Sequence, residues 1–340
     1  MRKQLIQIVD FKSLSWIIIC LGIVLRSFQY MLDASLWLDE CFLALNITNR
    51  SFPELLKPLD YTQVAPVGFL IITKLMVQTF GNNEYIFRMF PFVCGIISIF
   101  LFFRVAKYFL TKEAVLIALG LFALSCYLIQ YSGEFKQYSS DVAIALFLYV
   151  VAIYLQSQRL KPTNIALFGA IGAIIIWFSH TSAFVLAGIG ISLGLPCLVK
   201  KEWARFGQLS IIYLIWLLSF AAFYLVFSSD TTSIVVKEEM QHAWRGCFMP
   251  FPPSSLSDIK WFIRTFFDIF RNPGGFSFVG IATLTFLIGC ISIFLKNKQW
   301  FFILLSPLFI TLLASGFHMY PFKNRLLLFF APSLFLFIAE

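Results

Sequence analysis

Residues 64–80 read VAPVGFLIITKLMVQTF. The run is apolar enough to pass for a membrane span, yet it contains Pro66, Lys74 and Gln78. A helix crossing a hydrocarbon core of about 30 Å needs about 20 apolar residues, and an ammonium group in its middle is costly. Whether this segment crosses decides on which side of the bilayer every later loop lies.

That the bilayer is the relevant solvent follows from composition. The 340 residues are 60% hydrophobic, 18% aromatic and 13% charged, with a mean hydropathy of +0.85. Soluble domains carry about 25% charged residues, so a soluble globular fold is excluded. Working outward from 64–80, apolar runs of spanning length lie near 14–32, 89–110, 114–132, 139–156, 164–179, 182–199, 208–227, 276–295, 300–316 and 326–340. The expectation is an all-α polytopic membrane protein of about ten transmembrane helices, forming one domain over 1–340. Arg2, Lys3 and Lys12 precede the first apolar run without a small-residue cleavage site, the pattern of an uncleaved signal anchor.

The positive-inside rule then assigns 64–80. With the N-terminus inside and 64–80 lying along the outer surface, the cytoplasmic segments hold 13 basic residues against three acidic ones, Asp10, Glu113 and Glu202. The outer segments hold 12 basic residues against 13 acidic. A crossing at 64–80 would turn RVAKYFLTK, QSQRLKPT, VKKEWARF and KNK outward. The reading is therefore a non-spanning helix, a cytoplasmic N-terminus and two long outer loops, 33–88 and 228–275, with juxtamembrane helices. The net charge of +9 is thus a topology signal, and nucleic acid is not an expected partner.

Chemistry is expected at the outer face. In SLWLDECFLALN, Asp39 and Glu40 sit together just outside the first span, among Leu36, Trp37, Leu38, Phe42 and Leu43. Adjacent carboxylates on a helix point about 100° apart, so one can act while the other holds the helix or a metal. In YSGEFKQYSSDVAIALF, Glu134, Lys136, Tyr138 and Asp141 lie between two long apolar runs. Asp141 falls inside the fourth span by hydropathy and needs a partner, for which Lys136 is the nearest cation. His180, His242 and His318 all fall on the outer side, and Lys323 and Arg325 stand at the outer mouth of the final span. Cations there oppose the charge bias, which suits a fixed anion such as a lipid phosphate. The glycines of LAGIGISLG are read as helix packing, and Asn46-Ile-Thr and Asn49-Arg-Ser are formal glycosylation acceptors. Seven unpaired-looking cysteines give no metal or disulfide pattern, and neither a hydrolase triad, a zinc-binding HExxH nor a phosphate loop is present.

An N-in first span, an outer loop opening on Asp39-Glu40, the Pro-containing QVAPVGFLIITKL and then NEYIFRMFPFVCGIISIFLFFRVAKYF together resemble membrane glycosyltransferases of the GT-C class. The branch is that of protein O-mannosyltransferases and the lipid A aminoarabinose transferase, a glycosyltransferase family 39-like pattern. YSGEFKQYSSD, FSHTSAF and YPFKNRLLLF are also similar to that branch. The resemblance implies a GT-C-like helix bundle that moves a sugar from a polyprenyl-phosphate donor to a glycan, lipid or protein acceptor at the outer face of the cell membrane. Carried over, Asp39 matches the catalytic carboxylate, Glu40 its neighbour and Asp141 the acidic residue of the fourth span. Glu134, Lys136, Tyr138, His180, Lys323 and Arg325 are the expected substrate and phosphate contacts, and a divalent cation, Mg or Mn, held by Asp39 and Asp141 is the expected cofactor. At Gln63-Val-Ala-Pro66-Val-Gly68 the chain departs from the His-Pro-Pro stretch of the protein O-mannosyltransferases. It also ends inside its last span, as a fragment or a shortened member would. The alternatives are a polymerase or ligase of lipid-linked glycans using His242, Arg245 and Arg264, and a non-enzymatic transporter of lipid-linked sugars.

Overall fold

A computed structural model describes residues 10–32, 34–158, 160–228 and 244–340; Arg2, Lys3, Arg159 and His242 lie outside them. All regular structure among the described residues is helical. The chain opens with α1 (Phe11–Met31), α2 (Leu38–Asn49), a 3-10 turn (Pro53–Leu56) and α3 (Val67–Phe80). It continues through α4 (Glu84–Phe109), α5 (Lys112–Leu124), α6 (Cys126–Ser132), α7 (Tyr138–Ser157), α8 (Pro162–Ile176), α9 (Ser182–Val199) and α10 (Trp203–Ser228). It closes with α11 (Leu256–Arg271), α12 (Val279–Lys296), α13 (Lys298–Gly316), a 3-10 helix (Asn324–Phe330) and α14 (Ala331–Ala339).

Among the described residues, seven helices are long and apolar enough to cross a membrane, or eight if α5 and α6 form one span bent by 48°. Two of the ten expected spans are thus shorter than hydropathy suggests. The run 164–179 stops as helix at Ile176, because Trp177, Phe178 and Ser179 turn the chain toward α9. The run 326–340 is split between a 3-10 helix and the nine-residue α14, where Pro332 lacks the N–H that would continue one helix.

The decisive segment 64–80 forms α3, whose 14 residues reach only about 21 Å at 1.5 Å per residue. Pro66 starts it and Gly81, at φ +100°, ends it. Its apolar side joins Leu43, Ile47, Leu55, Leu59, Phe87 and Phe135 in a small core of the first long loop, through Phe69 and Leu70. Lys74, buried in the same segment, donates from Nζ to the Ile47 carbonyl at 2.8 Å. The large core is built by the remaining helices, with α4 packed along α7 and α9 along α13. The α9 glycines act as packing residues: a Cβ at Gly188 would stand 2.5 Å from Ser306 Oγ.

Arg26, a charge inside the first span, is fully buried. Its guanidinium donates to the carbonyls of Ala123 (3.0 Å) and Phe122 (3.3 Å), and its Gly22 bond lies within α1. The last carbonyls of a helix have no partner inside it and carry partial negative charge. Arg26 therefore caps the break between α5 and α6, which sets the direction in which α6 delivers residues 133–137 to the first loop.

Candidate active site

The site is built at the start of α2. Trp37 precedes the helix in extended conformation, and its backbone N–H donates to Glu40 Oε2 at 3.2 Å, half of a capping box. Asp39 and Glu40 diverge as helical geometry requires, and their environments are opposite. Glu40 turns inward, its side chain 1% exposed. It accepts from Arg88 at both oxygens, Nη2 at 2.8 Å and Nε at 3.3 Å, and from the backbone N–H of Phe135. Arg88 also donates to the carbonyls of Ala34 and Ser35. This knot ties α2, α4 and the α6–α7 turn together and holds Glu40 inside the loop.

Asp39 turns outward and stays 26% exposed. Oδ1 accepts from Gln63 Nε2 at 2.9 Å and faces Lys136 Nζ at 3.2 Å, while Oδ2 faces Arg325 Nη2 at 3.4 Å. Gln63 Oε1 in turn accepts from Lys136 Nζ at 2.7 Å. The Arg325 guanidinium lies over three aromatic rings, Trp37 at 5.3 Å, Tyr138 at 5.5 Å and Trp244 at 5.9 Å. Partial burial opposes the Asp39 carboxylate, but Lys136, the Gln63 amide and Arg325 outweigh it and hold its pKa below the usual carboxylate range. Burial lowers the Lys136 pKa against the pull of Asp39. Around Asp39 two cations face one carboxylate, an excess of positive charge at a half-open mouth. That is the electrostatics of an anion site.

Of the residues singled out from sequence, Asp39, Lys136, Tyr138 and Arg325 come together here. Glu134 lies beside them: Gln130 donates to its Oε1 at 2.8 Å, Oε2 is buried without a partner, and burial raises its pKa. Asp141 is elsewhere. It is buried on α7 and accepts from Ser179 Oγ at 2.6 Å, so the expected Lys136–Asp141 pair is replaced by Lys136–Asp39 and Ser179–Asp141. Lys136 precedes α7 and reaches back to the first loop, whereas Asp141, a turn into α7, meets the α8–α9 turn. His180 packs against Phe223 at 5.4 Å, and burial lowers its pKa to about 4, which keeps it neutral. Lys323 is exposed and lines a separate groove with Arg264, Asp268 and Asn272. His318 stacks on Phe248 at 5.0 Å. Asn46, the first formal glycosylation acceptor, is buried and exchanges hydrogen bonds with the Asp60 backbone, which removes it as an acceptor in the folded chain.

A divalent metal held by Asp39 and Asp141 does not fit this arrangement. Among the described residues no three His, Cys, Asp or Glu side chains converge. Both Asp39 oxygens already face cations, which would repel a metal ion as they attract the carboxylate. Gln63, Trp37 and Trp244 belong to the site but were not singled out from the sequence as candidates for its chemistry, unlike Asp39, Lys136, Tyr138 and Arg325.

No family model matches the chain, and no curated protein matches it. In fold it is similar to ArnT from Cupriavidus metallidurans, whose crystal structure is bound to undecaprenyl phosphate: TM-score 0.59 at 12% identity, covering 95% of this chain and 59% of that one. The apo form of ArnT gives TM-score 0.59 at 13% identity, with 95% and 58% covered. The archaeal oligosaccharyltransferase AglB from Archaeoglobus fulgidus, in complex with an inhibitory peptide and a dolichol-phosphate, gives TM-score 0.54 at 13% identity, with 97% and 49% covered. The chain therefore spans between half and three-fifths of the length of these proteins. The chain shares its helical membrane fold with ArnT and AglB.

Proposed function

We propose that the protein is an integral-membrane glycosyltransferase that moves a sugar from a polyprenyl-phosphate carrier to an acceptor hydroxyl at the outer membrane face, with Asp39 as general base. The observation that carries this reading is Asp39 half-open between Lys136 and Arg325, in a fold shared with ArnT and AglB. The chemistry balances within the site. Asp39 takes the acceptor's proton as its oxygen attacks the anomeric carbon. The bond from that carbon to the phosphate oxygen breaks, and the electron pair leaves with the carrier phosphate. Lys136 and Arg325 stabilise the negative charge developing there. A polyprenyl tail stays in the bilayer, so its phosphate arrives at the depth of the interface. Aromatic rings hold the Arg325 guanidinium in place, so little reorganisation is needed when charge develops. The cytoplasmic N-terminus and outer placement of the 33–88 loop follow from the charge bias and belong to the same proposal.

The test is mass spectrometry of lipid-linked sugars and surface glycans with and without the gene. Loss of the protein should accumulate a polyprenyl-phosphate monosaccharide and remove one sugar from a surface glycan. Accumulation of whole lipid-linked oligosaccharides would instead identify a polymerase or ligase.

A further inference from the structure

Gln63 has a role that its residue type does not announce. It is buried, and its amide is engaged at both ends: Nε2 donates to Asp39 at 2.9 Å and Oε1 accepts from Lys136 at 2.7 Å. An ammonium group has only donors and a carboxylate only acceptors, so this is the one orientation of the amide that satisfies both neighbours. The backbone that delivers it is unusual. Tyr61 and Thr62 both hold positive φ, 61° and 56°, a left-handed conformation that non-glycine residues rarely adopt. The surroundings force it: Arg50 pairs with Asp60 at 2.9 Å, Asn46 bonds both the N–H and the carbonyl of Asp60, and Tyr61 stacks on Phe42 at 4.6 Å. Backbone strain held by so many contacts marks a side chain whose position matters.

The two carboxylate pairs of the first loop show what that position is for. Glu40 and Arg88 make a sealed, two-point pair, with a shortest contact of 2.8 Å. The contacts of Asp39 to Lys136 and Arg325 are single-point, 3.2 and 3.4 Å long, and Asp39 and Arg325 are partly exposed while Lys136 is buried. Lys136 has its closest bond to Gln63, and Arg325 is cradled by Trp37, Tyr138 and Trp244. Neither cation depends on Asp39 to keep its place. The phosphate of a polyprenyl-linked sugar is a diester with one negative charge, like a carboxylate, but its two free oxygens diverge from a tetrahedral centre and can accept from both cations at once, and the released monoester carries more charge still, so it would take both cations without moving them far.

We propose that the carrier phosphate displaces Asp39 from Lys136 and Arg325, releasing the carboxylate as base, and that Gln63 is the positioning residue that holds Lys136 and Asp39 in register through the exchange. The acceptor's proton is then taken only where a donor phosphate is already bound, which guards the donor against premature attack. This inference rests on the glycosyl-transfer reading.

The test is binding of undecaprenyl phosphate to the full-length protein in detergent micelles, followed by tryptophan emission, since Trp37 and Trp244 flank Arg325. Asp39→Asn removes the competing carboxylate and should tighten binding about tenfold. Gln63→Met conserves volume but loses both hydrogen bonds, and should weaken binding about tenfold. A residue that only fills space would be replaced by methionine without a change in affinity. Unchanged affinity in Gln63→Met, or weaker binding in Asp39→Asn, with both variants folded by thermal unfolding, overturns the exchange and leaves the transferase reading standing. A parent protein that binds undecaprenyl phosphate no better than undecaprenol overturns the transferase reading and the exchange with it.

Discussion

Replacing Asp39 with asparagine should lower the rate of sugar transfer by about 10²–10⁴-fold, the span that a positioned general base supplies, while the protein still inserts and folds. The substitution keeps the shape of the side chain and its hydrogen bonding to Gln63, and removes only the ability to take a proton. Reconstituted transfer in proteoliposomes, with parent and variant at matched protein levels, is the measurement. The pH dependence follows from the same contacts. Lys136, the Gln63 amide and Arg325 hold the Asp39 pKa below the ordinary carboxylate range, and Tyr138, Glu40 and Glu134 are the other ionisable groups around it. A base with a depressed pKa stays deprotonated as pH falls, so the acid limb of kcat/KM should lie below about 3.9, the usual Asp value. An acid limb near neutrality would mean that another group is the base.

The second large effect concerns folding rather than chemistry. Arg88→Ala leaves Glu40 as an uncompensated charge among Phe87, Phe135 and the α2 backbone, and removal of one partner from a buried pair costs about 3–5 kcal/mol. Thermal unfolding in detergent should show a large drop in midpoint for Arg88→Ala. The double variant Glu40→Gln/Arg88→Met, which removes both charges, should recover much of the loss, because a buried pair is worth less than the cost of breaking it. Arg325→Met, by contrast, removes a partly exposed cation and should cost about 1 kcal/mol of stability or less, with little change in the midpoint, while abolishing phosphate binding. The adjacent carboxylates of the first loop are thus separable by experiment: loss at Asp39 appears in the rate, and loss of the Glu40 pair appears in the stability.

From the residues alone it was not legible which of the two carboxylates faces the mouth and which is tied to Arg88; only the family resemblance favoured Asp39 as the base. The pair itself was legible, because two acids beside a membrane span among bulky apolar residues need a reason. The choice between them depends on where Arg88 arrives from α4, a tertiary fact with no local trace. Partnering across long separations was equally hidden: Arg325 meets Asp39 over 286 residues of chain, and Lys136 chooses Asp39 over Asp141, which is far nearer in sequence. That 64–80 differs from the spans was readable in Pro66 and Lys74: the observed helix starts after Pro66, is short, and buries Lys74 against a backbone carbonyl. Two of the expected spans came out as shorter helices for a physical reason. Hydropathy averages side-chain polarity and cannot see Trp177–Ser179 turning the chain, or Pro332 interrupting the last helix. Arg26 was legible as an anomaly, but its purpose, capping a broken helix, needed the α5–α6 bend. Gln63 gave no signal, because a single amide in a loop is ordinary until two charged groups are found at its ends.

In the proposed reaction Lys136 and Arg325, set against Asp39, receive the phosphate of a polyprenyl-linked sugar. The most direct measurement is an experimental structure of the Asp39→Asn protein with such a lipid bound. Phosphate oxygens are expected within hydrogen-bond distance of Lys136 Nζ and the Arg325 guanidinium, with the residue at position 39 released from both. A phosphate seated instead in the groove of Arg264 and Lys323, with Lys136 and Arg325 still turned to position 39, would contradict the proposed reaction.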